Sequence, residues 1–317
     1  MATRPRPAVS VVIPAYNAAE FLGEQLEALA RQDAGFMFEV LVCDNGSSDD
    51  TAAVARAFSE RMPHLRQVDA SARRGASAAR NLGAQAASAS LLLFCDADDV
   101  VDPSWVRTLH DALGRASFVA GAVEHKLLNP GREWDFGWDR PTFHDPALPE
   151  LPACGSGNMG VHADVFAEVG GFDESLNAGE DIDFAWRVQL AGHPLIDEPA
   201  AIVHYRKRGG LRAAARQGRA KGVGTRVLAH RYALVRAAYA EQVSLPQDPD
   251  RSTAGDGGRS EGRWDRLRRL PRKAGEIVRN PAAITPYVAG IAFRLGYRTA
   301  PLDDVDRVPV PDRLPRA

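Results

Sequence analysis

Residues 96 to 99 of this chain read Asp-Ala-Asp-Asp, directly after the apolar run LLLFC. Carboxylates gathered at a strand end repel one another and need a counter-charge such as a bound cation. Asp96 and Asp98, two apart in extended chain, point the same way. Hard divalent ions such as Mg2+ or Mn2+ prefer such oxygen ligands and keep positions open for substrate phosphates. The competing reading is a polar turn followed by a helix cap at Asp99 or Asp102. D-x-D alone is a weak motif, and its place after a buried strand strengthens it.

Other residues of the same chemical temper are spread along the chain. Asp44 follows the apolar run FEVLVC and precedes NGSSDD. A carboxylate there can accept the imide N–H of a uracil or thymine ring, or it can belong to a turn. For Ser47, Ser48 and Asp49 the turn and helix-cap reading is preferred. Tyr16, two residues past Pro14, can stack on the same base or be an ordinary rim aromatic. In SARRGASAARNLG, Arg73, Arg74 and Arg80 straddle Gly75 near a helix start. Guanidinium groups and free N–H groups there can pair with a diphosphate, although each arginine singly reads as a solvated one. Glu180 and Asp181 open a helix, where the dipole favours negative charge; that explains one of them and leaves the other as a candidate general base. His204, after a further strand, can ligate a metal through a ring nitrogen or be structural. Within GSGNMG, which holds Gly157 and Asn158, glycine lets backbone approach a ligand closely. Trp134 and Trp138 can stack on a sugar or lipid carrier, or anchor their loop to the core.

These residues need elements to position them. VSVVIP (9 to 14), FEVLVCD (38 to 44), LLLFC (91 to 95) and FVAGAV (118 to 123) read as buried strands. Between them lie helical stripes: Phe21, Leu22, Gln25, Leu26 and Leu29; then Ala53, Val54, Ala57 and Phe58; then 76 to 87; then a helix after Asp102-Pro103. Two more helices are predicted over 163 to 169 and 180 to 191, with extended chain over 195 to 205. Such alternation implies an α/β fold, a largely parallel sheet covered on both faces. Ligands then collect beyond the carboxyl ends of the strands.

With 317 residues, 45% apolar and 25% charged, the chain has ample core for such a fold. A formal net charge of -2 gives no global attraction to nucleic acid. No signal peptide or spanning run is visible, and the three scattered cysteines read as reduced and structural, so a cytoplasmic protein is expected.

The order VSVVIPAYNAAEFL, VLVCDNGSSDDT, RRGASAARNLG, LLLFCDADD, GSGNMGVHADVFAEVGGFDE, GEDIDFAWRVQLAG resembles the successive motifs of the family 2 glycosyltransferases, over residues 9 to about 205. The resemblance implies a GT-A (Rossmann-like) fold, a nucleotide-sugar donor, a divalent cation (Mn2+ or Mg2+) and inversion at the anomeric carbon. Carried over by motif, Pro14, Tyr16 and Asp44 would lie at the base. Asp96 and Asp98 would serve ribose, diphosphate and metal, with Asp98 the direct ligand and His204 completing the site. Asp181 would be the base, beside Glu180, and Gly157 and Asn158 would shape the acceptor side. Arg74 and Arg80 both remain for the diphosphate.

The segment RQGRAKG only faintly resembles the Q-x-x-R-W element of processive synthases and lacks its tryptophan, so transfer of a single sugar is expected. The implied partners are the donor and a glycan or lipid-linked acceptor, in cell-surface polysaccharide or glycolipid synthesis. A nucleotidyltransferase would carry a Gly-rich loop after its first strand, and PAYNAAEF has none; a non-catalytic nucleotide-sugar-binding module is the other alternative. The expected organisation is a catalytic domain at 1–205, a basic helical extension at 206–243, a flexible linker at 244–263 and a partly helical tail at 264–317. The basic extension can lie on the inner face of a membrane or pack on the catalytic domain.

Overall fold

The computed structural model describes residues 6–130, 140–207, 210–244 and 285–315. Trp134, Trp138 and the segment from 245 to 263 lie outside the described residues. The chain divides into two compact units, Met1–Lys207 with Pro311–Ala317, and Arg208–Val310.

The first unit opens with β1 (Val9–Ala15), α1 (Leu22–Ala30), β2 (Phe38–Asp44), α2 (Thr51–Ser59), β3 (Leu65–Asp69), α3 (Ala76–Ala86) and β4 (Leu91–Cys95). It continues with β5 (Val100–Val101), α4 (Trp105–Leu113), β6 (Phe118–Glu124), β7 (Phe143–His144), β8 (Pro152–Ala153), β9 (Asn158–His162), α5 (Ala163–Glu168), α6 (Glu180–Leu190) and β10 (Leu195–His204). Among the described residues the main sheet runs β3-β2-β1-β4-β9-β6-β10-β5. β3, β2, β1 and β4 are parallel, as are β6 and β10; β9 runs against β4 and β6, and β5 against β10.

Alternation along the strands divides the core in two. Val11 and Ile13 face one way, with Leu22, Leu26 and Leu29 of α1 and Trp105 of α4. Val12 and Cys43 face the other, with Ala79 of α3, Phe166 of α5 and Phe184 of α6. A sheet covered on both faces explains why β4 reads as an unbroken apolar run and why β1 and β2 are interrupted only by Ser10 and Glu39, buried and hydrogen-bonded to each other at 2.6 Å. Pro14 fits inside β1 because the ladder to β4 ends at Val12↔Phe94, so no N–H is required of it there.

The sequence pattern finds these helices to within a residue or two but misses β3, β9 and the two-residue strands β5, β7 and β8. β3 is LRQVD, mostly polar and exposed. β9 lies inside the Gly-rich segment expected only to shape the acceptor side, and is almost wholly buried. The expected cap of α2 also differs. Asp50 occupies the cap position without a side-chain bond, while the Asp49 carboxylate accepts the N–H of Thr51 and of Ala19, each at 3.1 Å.

The second unit contains α7 (Leu211–Arg231), α8 (Ala233–Ser244) and α9 (Thr285–Thr299). The continuous basic helix expected from 206 is thus shorter at its start and interrupted at Tyr232. No helix among the described residues is long and apolar enough to cross a membrane.

Candidate functional site

The carboxyl ends of β1, β2, β4, β6 and β10 share one edge of the sheet, and the candidate residues gather there. Ala15 pairs with Asp44, which sets Tyr16, 56% exposed, beside that carboxylate. One Asp44 oxygen accepts the N–H of Ser47 at 2.9 Å, so the turn reading holds for that oxygen. The loops after β1 and β2 are laced together: Asn17 donates its N–H to Ser47 Oγ at 3.0 Å, and Ser48 donates its N–H to Asn17 Oδ1 at 2.8 Å. Asn17 has φ of 48°, a left-handed conformation that asparagine tolerates.

Asn45, buried behind these loops, carries no signal in its sequence context. Its Nδ2 donates to the carbonyls of Ala70 and Arg73, both at 2.7 Å, and its Oδ1 accepts the N–H of Gly75 at 2.7 Å. It thereby holds the loop that carries Arg74, which is exposed. Arg73 pairs instead with Glu174 at 3.0 Å.

At the end of β4, Asp96 accepts Arg80 Nη2 at 2.6 Å. Arg80 is only 4% exposed, and its Nη1 stands 3.6 Å from Glu180 Oε1 at the start of α6. Its Nε and Nη1 make no hydrogen bond. One of the two arginines expected at a diphosphate thus has its charge engaged by protein carboxylates. This guanidinium is buried between two carboxylates and positions them. Gly157 lies against the same group, since a Cβ there would come within 2.9 Å of Asp96 Oδ2. That contact makes it part of the floor beneath Asp96. The amide of Gln25, buried on α1, donates to the Asp96 carbonyl and accepts the N–H of Val101, both at 3.0 Å. A glutamine within an apolar stripe was the available signal for this residue.

Glu180 and Asp181 begin α6 after Gly179, whose φ is 82°. The Glu180 carboxyl is pushed up to about 7, by burial first and then by the charge of Asp181. The Arg80 guanidinium, 3.6 Å from Glu180, opposes this shift without cancelling it. A raised acid binds its proton more tightly when folded, so stability falls as pH rises from about 4.5 to about 7. Glu180→Gln is expected to flatten that slope and to raise stability at pH 8 by up to about 3 kcal/mol. Thermal denaturation at pH 5 and pH 8 checks it, and an unchanged slope in the variant would contradict it. Asp181 Oδ1 accepts the N–H of Ile182 at 2.9 Å, which fixes the side chain at the first turn.

Asp98 and His204 lie at the other end of this edge. His204 is in register with Val100 of β5 and with Glu124 of β6. Its Nδ1 is 3.0 Å from Glu124 Oε2. A carboxylate can only accept, so Nδ1 carries a proton, and Nε2 is the ring nitrogen left to face a ligand. Arg206 donates Nε to the Asp98 carbonyl at 2.9 Å and its N–H to Asp99 Oδ1 at 2.8 Å. Asp102 Oδ1 accepts the N–H of Ser104 at 3.0 Å, but Ser104 holds the cap position of α4 without a side-chain bond, so neither Asp99 nor Asp102 caps that helix. Neither Arg206 nor Glu124 carries a sequence signal; pairing of β6 with β10 brings Glu124 here, and Arg206 follows two residues after β10 ends.

Asn158 requires a correction. Its Oδ1 accepts Trp105 Nε1 at 2.7 Å, and its Nδ2 donates to the carbonyls of Ala122 and Ala201 at 2.7 and 2.9 Å. At 3% exposure it pins β9 to its neighbours inside the sheet and is not on an acceptor surface. The three cysteines are free and buried, and burial pushes the Cys43 thiol up to about 12.

The family model for glycosyl transferase family 2 matches residues 10–170, ending before Glu180 and Asp181. The chain is 34% identical over 230 residues to validoxylamine A glucosyltransferase of Streptomyces hygroscopicus subsp. jinggangensis (strain 5008), covering 61% of this chain and 54% of that protein. It is 33% identical over 194 residues to glycosyltransferase AglE of Haloferax volcanii, covering 60% of this chain and 64% of that one. It thus spans between half and two thirds of the length of these curated relatives. Among solved structures, mannosyltransferase PcManGT from Pyrobaculum calidifontis, in complex with GDP-Man and Mn2+, superposes with a TM-score of 0.59 at 20% identity, over 93% of this chain and 88% of that one.

Proposed function

The chain belongs to glycosyl transferase family 2 and has the GT-A fold, and from that premise we propose that it is an inverting, metal-dependent glycosyltransferase. It moves one sugar from a UDP- or dTDP-sugar to an acceptor hydroxyl on a glycan or lipid-linked carrier, in cell-surface polysaccharide or glycolipid synthesis. The observation that carries this reading is the bridge from Asp96 through Arg80 to Glu180, 2.6 and 3.6 Å long, which ties the strand edge to the start of α6. Donor-binding and base residues then share one cleft.

Within it Tyr16 stacks on the base and Asp44 accepts its imide N–H. Asp96, held by Arg80, meets the ribose and diphosphate, and exposed Arg74 meets the diphosphate. Asp181 takes the proton of the acceptor hydroxyl as its oxygen attacks the anomeric carbon opposite the departing diphosphate. An aspartate, with an ordinary pKa of about 3.9, is a weak base toward an alcohol, so proton removal coincides with attack.

Among the described residues no three His, Cys, Asp or Glu side chains form a ready-made cage. The donor set still fits Mn2+ or Mg2+, which takes one or two protein ligands and completes its shell with phosphate oxygens and water. Asp98 and Nε2 of His204 would hold it, with Glu124 orienting the ring. When bound, the ion neutralises charge on the leaving nucleoside diphosphate.

A thermal-shift panel of nucleotide sugars with and without Mn2+ tests the reading. Stabilisation by a UDP- or dTDP-sugar in Mn2+, with slow release of the nucleoside diphosphate, is the expected result; binding without any turnover would favour a sensing module. Asp98→Ala is expected to weaken Mn2+-dependent donor binding at least about tenfold and to leave binding in chelator unchanged. Unchanged affinity in Mn2+ would remove Asp98 from the metal site. The protein would work in the cytoplasm, peripherally on the inner face of the membrane.

A further inference from the structure

α9 turns an unusual face to solvent. Tyr287, Ile291 and Leu295 recur at every fourth residue and are 41%, 62% and 54% exposed. Arg294 and Arg298 fall on the same third of the helix, at about 100° per residue. The opposite face of α9 is sealed against α7 by glycine. A Cβ on Gly218 would meet the Ala289 carbonyl at 2.3 Å, and one on Gly296 would meet the Arg219 carbonyl at 2.1 Å. The orientation of the stripe is therefore fixed by backbone contact.

Charge says what covers it. α7 carries six arginines and lysines and α9 two arginines, with no aspartate or glutamate on either. A two-fold pairing of this face with a second copy would set Arg294 and Arg298 against a helix that carries no carboxylate to answer them. A nucleic acid would answer the charge and leave the apolar triad exposed.

We propose that α9 is the surface by which this chain lies on an anionic lipid bilayer, with Tyr287, Ile291 and Leu295 entering the headgroup boundary. Arg294 and Arg298 rise along their aliphatic stems to lipid phosphates, and the basic residues of α7 add attraction over a Debye length. The surface gives the peripheral location proposed above its physical basis and rests on that part of the reading alone.

The test is cosedimentation of the full chain with vesicles of phosphatidylcholine alone or mixed with phosphatidylglycerol. The parent is expected to bind the mixed vesicles, to be released by salt, and to ignore phosphatidylcholine. Arg294→Gln with Arg298→Gln should weaken partition about thirtyfold, and Ile291→Ser with Leu295→Ser about tenfold or more. All four side chains are on the exposed face, and circular dichroism verifies that the helices persist. Parent-like binding by both variants would overturn the proposal. So would absence of binding to either vesicle, self-association abolished by the serine pair, or capture of duplex nucleic acid in place of lipid. Donor-induced thermal stabilisation, measured without vesicles, separates the two readings. Its absence in the parent counts against the transferase, while its retention in both variants makes the vesicle result specific to α9.

Discussion

Asp181→Asn is expected to lower sugar transfer by about a thousandfold while donor affinity stays within about twofold of the parent. The magnitude is that of a general base removed from a reaction whose other parts remain. Asparagine keeps the size of the side chain and can still accept the Ile182 N–H that fixes it at 2.9 Å. It cannot take a proton from an alcohol. Single-turnover transfer together with donor titration separates chemistry from binding. Transfer at the parent rate would remove Asp181 from the base position and leave Glu180, whose raised pKa suits proton exchange near neutrality, as the group to replace next.

Arg80→Met is the second large effect, and it is read as stability. The substitution keeps an apolar stem over the Phe172 ring, whose centroid is 5.6 Å from the Arg80 Cζ. It removes the only cation paired with both Asp96 and Glu180 among the described residues. Removing one partner of a fully buried pair costs about 3 to 5 kcal/mol. Asp96 is 32% exposed and Glu180 18%, so about 2 to 3 kcal/mol is expected here, or roughly 5 to 10 °C in melting temperature. The loss should be larger at pH 8 than at pH 5, because Glu180, pushed up to about 7, is neutral at the lower pH and no longer repels Asp96. Thermal melts at the two pH values decide it. Equal losses would mean that the arginine acts by packing alone.

How much of this is legible in the sequence differs by element, and for physical reasons. β1, β2 and β4 are covered on both faces, so each reads as a largely apolar run, interrupted in β1 by Ser10 and in β2 by Glu39, and the polar residues that follow it mark its end. The same polarity change marks Asp44 and Asp96 as strand-end residues. β9, NMGVH, escapes such a pattern because Asn158 and Gly160 interrupt its two buried apolar residues, Met159 and Val161, as it fits between β4 and β6. Asn158 misleads for a related reason. An asparagine near glycines resembles a ligand contact, yet here it satisfies Trp105 and two carbonyls across strands.

Local sequence dictates that acids and arginines stand at the carboxyl edge of a doubly covered sheet, because side-chain period and strand ends are local properties. Which of them touch is settled in three dimensions. Arg80 became the link between Asp96 and Glu180, Glu124 became the partner of His204, and Arg206 came to hold the backbone of Asp98, through contacts spanning 16 to 108 residues of chain. Distances of that kind depend on sheet order, and sheet order follows from the packing of all strands at once, which no single stretch encodes.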